Sequence, residues 1–393
     1  MLWLGQIISQ ISLNILSFVL AIEVYQLTMS NTAVSLMLLT FGLPAIIFGV
    51  MFGGIVDHFD KRSVLIFCNL SRAFILFFYF LFSAHIFMLY LLSVLISIFT
   101  QLFIPAEAPS IPQLVKKDDL LSANSLFTIT FYLSTVIGSL TAGPLLRVFG
   151  SQNIFIIMTI FMLLASFFNY RLPRLSASKK VKFEFYIINF VKPVYEGFLF
   201  IHQHERIRQS LYLLTFSQAL MATLVVLAPG FADKILLIDL KDISLVVMGP
   251  AAVGLILGAF LVGVKPNNIL RGTIILSGII ISGITLIMLA VISFFNLHGM
   301  IYAMMFLLLV LGVANSFINV PSSTILQEET DENLRGRIYG VLTSLIGGFS
   351  LLPVLFSGIL ADVVGVGRTL FIIGIMVFLI GSYFGQKRIR IIY

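Results

Sequence analysis

Charge is scarce in this chain: Asp, Glu, Lys and Arg make up only 10% of its 393 residues. An ordinary soluble domain carries about 25%, so a water-facing globular surface is excluded. Cysteine occurs once, as Cys68. That rules out an intramolecular disulfide and leaves a small apolar side chain. No His, Cys or carboxylate cluster has metal-ligand spacing, and no glycine-rich nucleotide loop occurs. Neither a metal, a cofactor, an ATPase engine nor an enzymatic site is therefore expected. Also missing is the polar–apolar alternation of a membrane β-barrel, since runs such as Ile154–Phe168 are unbroken.

What is abundant is apolar length. Hydrophobic residues make up 59% of the chain, and the mean hydropathy is +1.09. A hydrocarbon core about 30 Å thick takes roughly 20 apolar residues per helix. Twelve stretches meet that length: Leu2–Gln26, Thr32–Val56, Ser63–Ser83, Ile86–Pro105, Ser125–Leu146, Ile154–Leu172, Gln209–Ala232, Ser244–Val264, Leu270–Phe295, Met300–Thr324, Ile338–Ala361 and Thr369–Phe384. The first lacks a basic start and an Ala-x-Ala site, so it reads as a retained span and not a cleaved signal. The expected class is an all-α membrane protein of twelve transmembrane helices.

The basic residues orient these spans. With the N-terminus in the cytoplasm, only Arg147, Lys234, Lys241 and Arg368 of the 24 Lys and Arg fall outside. Shifting the count by one helix would invert this strong positive-inside bias. An even number of spans, both termini cytoplasmic and residence in the inner cell membrane follow as expectations. The net charge of +7 then reflects loops drawn to anionic lipid and does not point to nucleic acid.

The halves echo each other. Lys117-Asp-Asp-Leu-Leu-Ser-Ala-Asn124 opens span five, and Thr330-Asp-Glu-Asn-Leu-Arg-Gly-Arg337 opens span eleven. Gly143-Pro-Leu-Leu-Arg-Val-Phe-Gly150 closes the former, and Gly358-Ile-Leu-Ala-Asp-Val-Val-Gly365 closes the latter with the same Gly-to-Gly spacing. Six spans per half make this a parallel repeat. The expected organisation is an N-terminal six-helix bundle (1–172), a cytoplasmic linker (173–208) and a C-terminal six-helix bundle (209–393). Within the linker, Ile187–His202 reads either as a surface helix or as a solvated connector.

Polar residues in a span are costly toward lipid, so their faces mark either a cavity or helix–helix hydrogen bonds. Span one aligns Gln6, Gln10, Asn14 and Ser17 at helical spacing. Span four aligns Ser93, Ser97 and Thr100, span seven Thr215 and Gln218, and span ten Asn315, Asn319 and Ser322. Polar faces at spans 1, 4, 7 and 10 predict a shared central pathway. Walls of aromatic and aliphatic groups with scattered amides suit an amphipathic small molecule.

The loop after span two, Gly53-Gly-Ile-Val-Asp-His-Phe-Asp-Lys-Arg62, resembles the G-x-L-a-D-R-x-G-R-[RK] loop of the major facilitator superfamily. His58 stands for the usual Arg and Asp60 for the Gly. Within that superfamily the chain is similar to bacterial exporters of the macrolide-efflux and enterobactin-exporter type. Leu2-Trp-Leu-Gly-Gln-Ile-Ile-Ser-Gln10, Val24-Tyr-Gln-Leu-Thr28, Glu196-Gly-Phe-Leu-Phe-Ile201 and Leu334-Arg-Gly-Arg-Ile-Tyr339 carry this likeness, together with Arg72. Gly138, Gly143 and Pro144 look like part of the fifth-helix G-x-x-x-G-P motif of proton-coupled antiporters, without its closing glycines. The fourth-helix R-x-x-x-G motif is absent.

The resemblance implies two parallel six-helix bundles with alternating access. It also implies an inner-gate network at Gly53, Asp57, Lys61, Arg62 and Arg72, and an efflux antiporter with protons as the coupling ion. A proton carrier needs a carboxylate in a dry surrounding, and the candidates are Glu107, Glu23 and Asp233. Glu107 shares the face of Ser93, Ser97 and Thr100. An uptake permease, a lysophospholipid flippase and a non-transporting receptor or scaffold are the alternatives.

Overall fold

The computed structural model describes residues 1–56, 59–116, 119–175, 201–264, 271–294, 301–329, 348 and 351–386. Among them no strand occurs. The helices are α1 (Leu2–Thr28), α2 (Asn31–Val56), α3 (Lys61–Phe82), α4 (Ile86–Glu107), the short α5 (Ile111–Leu114) and α6 (Leu120–Tyr170). After them come α7 (Glu205–Phe231), α8 (Gly249–Val264), α9 (Arg271–Phe294), α10 (Ile301–Glu328), α11 (Leu351–Val364) and α12 (Val366–Gln386).

Ten helical segments among the described residues are long and apolar enough to cross a membrane. One of them, α6, is two arms meeting at Gly150, where the backbone turns into the left-handed region (φ 77°). Its arms hold the spans expected at Ser125–Leu146 and Ile154–Leu172. Helix α11 holds the described part of the span expected at Ile338–Ala361, and the start of that span lies outside the described residues.

Two helices run on past a proline. Helix α4 runs through Pro105 to Glu107, and α7 runs through Pro229 to Phe231 before a π-helical turn at Ala232–Leu236. Proline is tolerated in membrane helices where neighbouring groups take up the freed carbonyls. Past Pro229 the ordinary bonding continues, with the Ala232 amide donating to the carbonyls of Ala228 and Pro229. Pro229-Gly230 therefore does not interrupt α7, and Asp233 follows in the π-helical turn.

The chain divides into two compact units. One comprises Met1–Thr28 and Leu36–Lys192, the other Met29–Ser35 and Pro193–Tyr393. Each unit uses the same pairing scheme. In the first, α1 packs on α6, and α3 packs on α4 and α6. In the second, α7 packs on α11, and α9 packs on α10 and α12. The repeat also shows in the backbone. Gly150 and Gly365, the closing glycines of the two matched motifs, are the two positive-φ glycines among the described residues (φ 77° and 92°). A side chain there would be strained.

Candidate functional site

In the first unit an apolar floor is built from Leu2 on α1, Cys68 on α3, Phe103 on α4 and Leu172 just past α6. One helical turn away from these residues lie Gln6, Arg72, Phe99 and Asn169, which helical spacing places in a polar layer above the floor. Arg72 is 1% exposed. Its Nη1 donates to Asn69 Oδ1 at 3.1 Å and its Nη2 to the Phe99 carbonyl at 3.3 Å. The guanidinium also stacks over the Phe103 ring, 4.5 Å from its centre, a favourable arrangement for a cation in a dry site. Glu107, at the end of α4, is close enough to interact with Arg72 through its charge. Glu107 Oε1 is enclosed and accepts no hydrogen bond. Gln6 Oε1, Asn69 Nδ2, Arg72 Nε and both amide atoms of Asn169 are likewise enclosed without hydrogen-bond partners. Buried polar atoms of this kind are rare in folded proteins.

The same end of the unit is tied by the loop motif. Arg62 Nη2 donates to the Tyr170 carbonyl at 2.7 Å and stacks over that ring at 5.0 Å. Asp60 accepts from the Ser63 hydroxyl at 2.7 Å and from the Leu175 amide at 2.9 Å. Burial works to raise its carboxyl, but these donors outweigh it and hold the group below the ordinary aspartate range. Asp60, which stands where the family pattern has Gly, thus joins the start of α3 to the end of α6. Lys61 is buried. Gly53 lies in α2, and Asp57 lies outside the described residues.

The polar stripes fall into unlike surroundings. On α1, Gln6 is buried, while Gln10, Asn14 and Ser17 are half-buried. Asn14 donates to the Gln10 carbonyl, and a Cβ at Gly138 would meet the Asn14 side chain. Gly138 is thereby a contact between α1 and α6. Gly143 is buried and Pro144 exposed in the same helix. On α4, Ser93 bonds the Tyr79 hydroxyl and the Leu89 carbonyl. Ser97 donates to the Phe41 carbonyl of α2 at 2.7 Å, and Thr100 to Ile96 of its own helix. These hydroxyls are held by bonds inside the unit. Glu23 is buried near the end of α1.

In the second unit, α7 and α10 meet through a neutral polar cluster. Ser217 Oγ accepts from Asn315 Nδ2 at 2.8 Å and from Asn319 Nδ2 at 2.6 Å. Asn319 also reaches Asn315 Oδ1 at 3.3 Å. Asn315 is buried, Asn319 is half-buried, and Ser322 below them is buried with its hydroxyl unbonded. Sequence reasoning chose Thr215 and Gln218 on α7. The structure has Thr215 bonding its own helix, leaves Gln218 exposed, and joins Ser217 to α10. The polar run Thr215–Gln218 was the available signal, but only the partner helix selects Ser217 from it. Asp233 is half-buried in its π-helical turn. Among the described residues no His, Cys, Asp and Glu group has the form of a metal site.

A cysteine at Asn319 in a Cys68→Ala background is expected to react with a small polar thiol reagent much faster than one at Met376. Met376 is 58% exposed on the apolar face of α12, where lipid excludes such a reagent. Equal labelling would reduce the amide cluster to helix packing.

Ten apolar helical segments among the described residues, arranged in two units with one pairing scheme, define a multi-pass helical membrane protein. The Major Facilitator Superfamily model matches residues 2–353, and the chain belongs to that family. It is 24% identical to the MFS-type transporter YfiS of Bacillus subtilis (strain 168) over 391 residues, covering 94% of this chain and 88% of that protein. It is 22% identical to macrolide efflux protein A of Streptococcus pyogenes, covering 96% and 92%. The crystal structure of the nucleoside transporter NupG superposes with a TM-score of 0.75 at 12% identity, covering 98% of this chain and 97% of that one. The last likeness establishes the fold alone: the major facilitator fold.

Proposed function

We propose that this chain exports a hydrophobic or amphipathic small molecule by proton antiport, from a cytoplasmic membrane in which both termini face inward. The observation that carries the reading is the neutral cluster of Ser217, Asn315 and Asn319. It offers hydroxyl and amide groups with no fixed charge, suited to a cargo with few, uncharged polar groups. A small apolar hollow in the same unit, lined by Leu224, Leu227, Phe231, Val247, Leu289 and Leu308, is in keeping with an oily cargo. So is the likeness to macrolide efflux protein A. The positive-inside bias supports the orientation. Glu107 is the proposed proton carrier, because its enclosed Oε1 has no donor to hold it ionised and Arg72 supplies an opposing charge.

The test is transport in proteoliposomes carrying a pH-reporting dye. A macrolide added to the wild-type chain is expected to drive proton movement against its own flux. Glu107→Gln is expected to abolish that movement while substrate still binds. Macrolide transport without proton movement would overturn the coupling, and failure to move any of a panel of amphipathic drugs would overturn the substrate class.

A further inference from the structure

The polar layer of the first unit is short of partners in a specific way. Asn69 turns its oxygen to Arg72 Nη1 at 3.1 Å, which leaves Nδ2 as its unbonded end. Arg72 commits Nη1 to Asn69 and Nη2 to the Phe99 carbonyl, which leaves Nε. Asn169 has neither amide atom bonded, and Gln6 lacks a partner at Oε1. Asn69 and Asn169 are 0% exposed, Arg72 1% and Gln6 5%. Buried polar groups in folded proteins nearly always keep a hydrogen bond, because an unanswered one forfeits the hydration it had in the unfolded chain. Five such atoms in one layer call for a partner that is not protein.

These atoms border a common space. Leu2, Cys68, Phe103 and Leu172 pack in one apolar cluster. Gln6 follows Leu2 by four residues, Arg72 follows Cys68 by four, and Asn169 precedes Leu172 by three. Helical spacing therefore sets all three beside the same floor. A Cβ on Gly5 would stand 2.5 Å from Asn169 Oδ1, so α1 and α6 touch there and the space is small.

The unbonded atoms state what the partner must be. Asn69 Nδ2, Arg72 Nε and Asn169 Nδ2 are donors, whereas Gln6 Oε1 and Asn169 Oδ1 are acceptors. The partner must both accept and donate. The charge of Arg72 is already opposed by Glu107, so a further ion would stand uncompensated in a dry surrounding. Water is small, neutral and able to bond both ways. A buried water makes about three hydrogen bonds, so roughly two waters answer the five atoms. We propose that α1, α3, α4 and α6 enclose an internal hydration site, in which water bridges Asn69 and Arg72 to Gln6 and Asn169. Water held there lets an arginine and three amides persist inside a membrane-spanning unit, and joins its helices through one hydrogen-bonded layer. The site depends neither on the cargo nor on whether Glu107 carries a proton.

The test is X-ray radiolysis of the full chain in nanodiscs, with a scavenger quenching hydroxyl radicals in bulk solvent and mass spectrometry locating oxidised residues. Radicals at buried side chains then come from enclosed water. Phe103 is 2% exposed and lies against the Arg72 guanidinium. Phe155 is 0% exposed, stacks on Tyr79 and lies roughly 21 Å along its helix from Asn169. As the same residue type, the two share one intrinsic reactivity. Phe103 is expected to be hydroxylated several-fold faster than Phe155. Asn169→Leu breaks no protein hydrogen bond of that side chain but deletes two of the five polar atoms. It is expected to slow Phe103 several-fold and leave Phe155 unchanged. Gln6→Leu should act in the same direction, and carries the comparison should Asn169→Leu yield no protein. Equal rates at Phe103 and Phe155 in the native chain, or a Phe103 rate that the variants leave unchanged, would overturn the hydration site.

Discussion

Arg72→Leu is expected to cost the folded protein about 1–3 kcal/mol, the range for leaving buried hydrogen-bonding groups without their partner. Transport is expected to be lost with it. The guanidinium is almost fully enclosed, and its removal strips Asn69 Oδ1 of its donor and Glu107 of its counter-charge. Thermal unfolding of the purified protein in detergent measures the loss. The pair is tested by the cycle with Glu107→Gln. If the two groups act together, the double variant Arg72→Leu/Glu107→Gln is more stable than the two single losses summed, because neither charge is left alone. Additive losses would mean that Arg72 serves only its contacts with Asn69, Phe99 and Phe103.

Such a pair was half legible in the sequence. Arg72 attracts notice because a cation within a span must be accommodated, and Glu107 because it continues the face of Ser93, Ser97 and Thr100. Their relation was hidden, since Pro105 reads as a helix end and would place Glu107 in a loop. The structure carries α4 through that proline, and so Glu107 stays within reach of Arg72. Asn69 and Asn169 gave no signal at all. Each is a single amide on a mainly apolar helix, and only tertiary packing encloses them.

The fold was far more legible than the site, for a physical reason. Spans are written in unbroken local runs of apolar residues, and lipid enforces the reading. Even the bend between the arms of α6 is local, marked by Gly150 and by its counterpart Gly365. Polar partners are not local. Ser217 meets Asn315 across 98 residues, and Asp362 meets Asn31 across 331. A stripe on one helix states that a partner exists without saying which. That is why Ser93 and Ser97, aligned with Thr100 as a pathway, are found bonded to α3 and α2. It is also why Asp362 stood in the repeat motif without a visible partner.

Gly254→Ala and Gly312→Ala are each expected to lower stability by about 1–3 kcal/mol, the cost of overfilling a close-packed contact. Their bulkier counterparts Gly254→Val and Gly312→Val are expected to prevent recovery of folded protein. Helices α8 and α10 cross here with their backbones touching. A Cβ on Gly254 would run into the Leu309 carbonyl, and a Cβ on Gly312 would run into the Ala251 carbonyl. One turn along, a Cβ on Gly258 would strike the Val313 carbonyl, and Ser316 donates to the Leu255 carbonyl at 2.6 Å. Gly254 and Gly258 form the small-x-x-x-small pattern that lets membrane helices approach closely, a signal the sequence did carry. The obstacle in each case is backbone and not a flexible side chain, so relief requires the two helices to separate. Separation would also move Asn315 and Asn319, which lie on α10 just beyond Gly312, away from Ser217 on α7. The control is Gly263→Ala on the same helix, where a Cβ meets nothing and the change should be neutral or slightly stabilising. Detergent melting curves of the three alanine variants decide the point. Equal melting temperatures for Gly254→Ala and Gly263→Ala would show that α8 and α10 have room to spare.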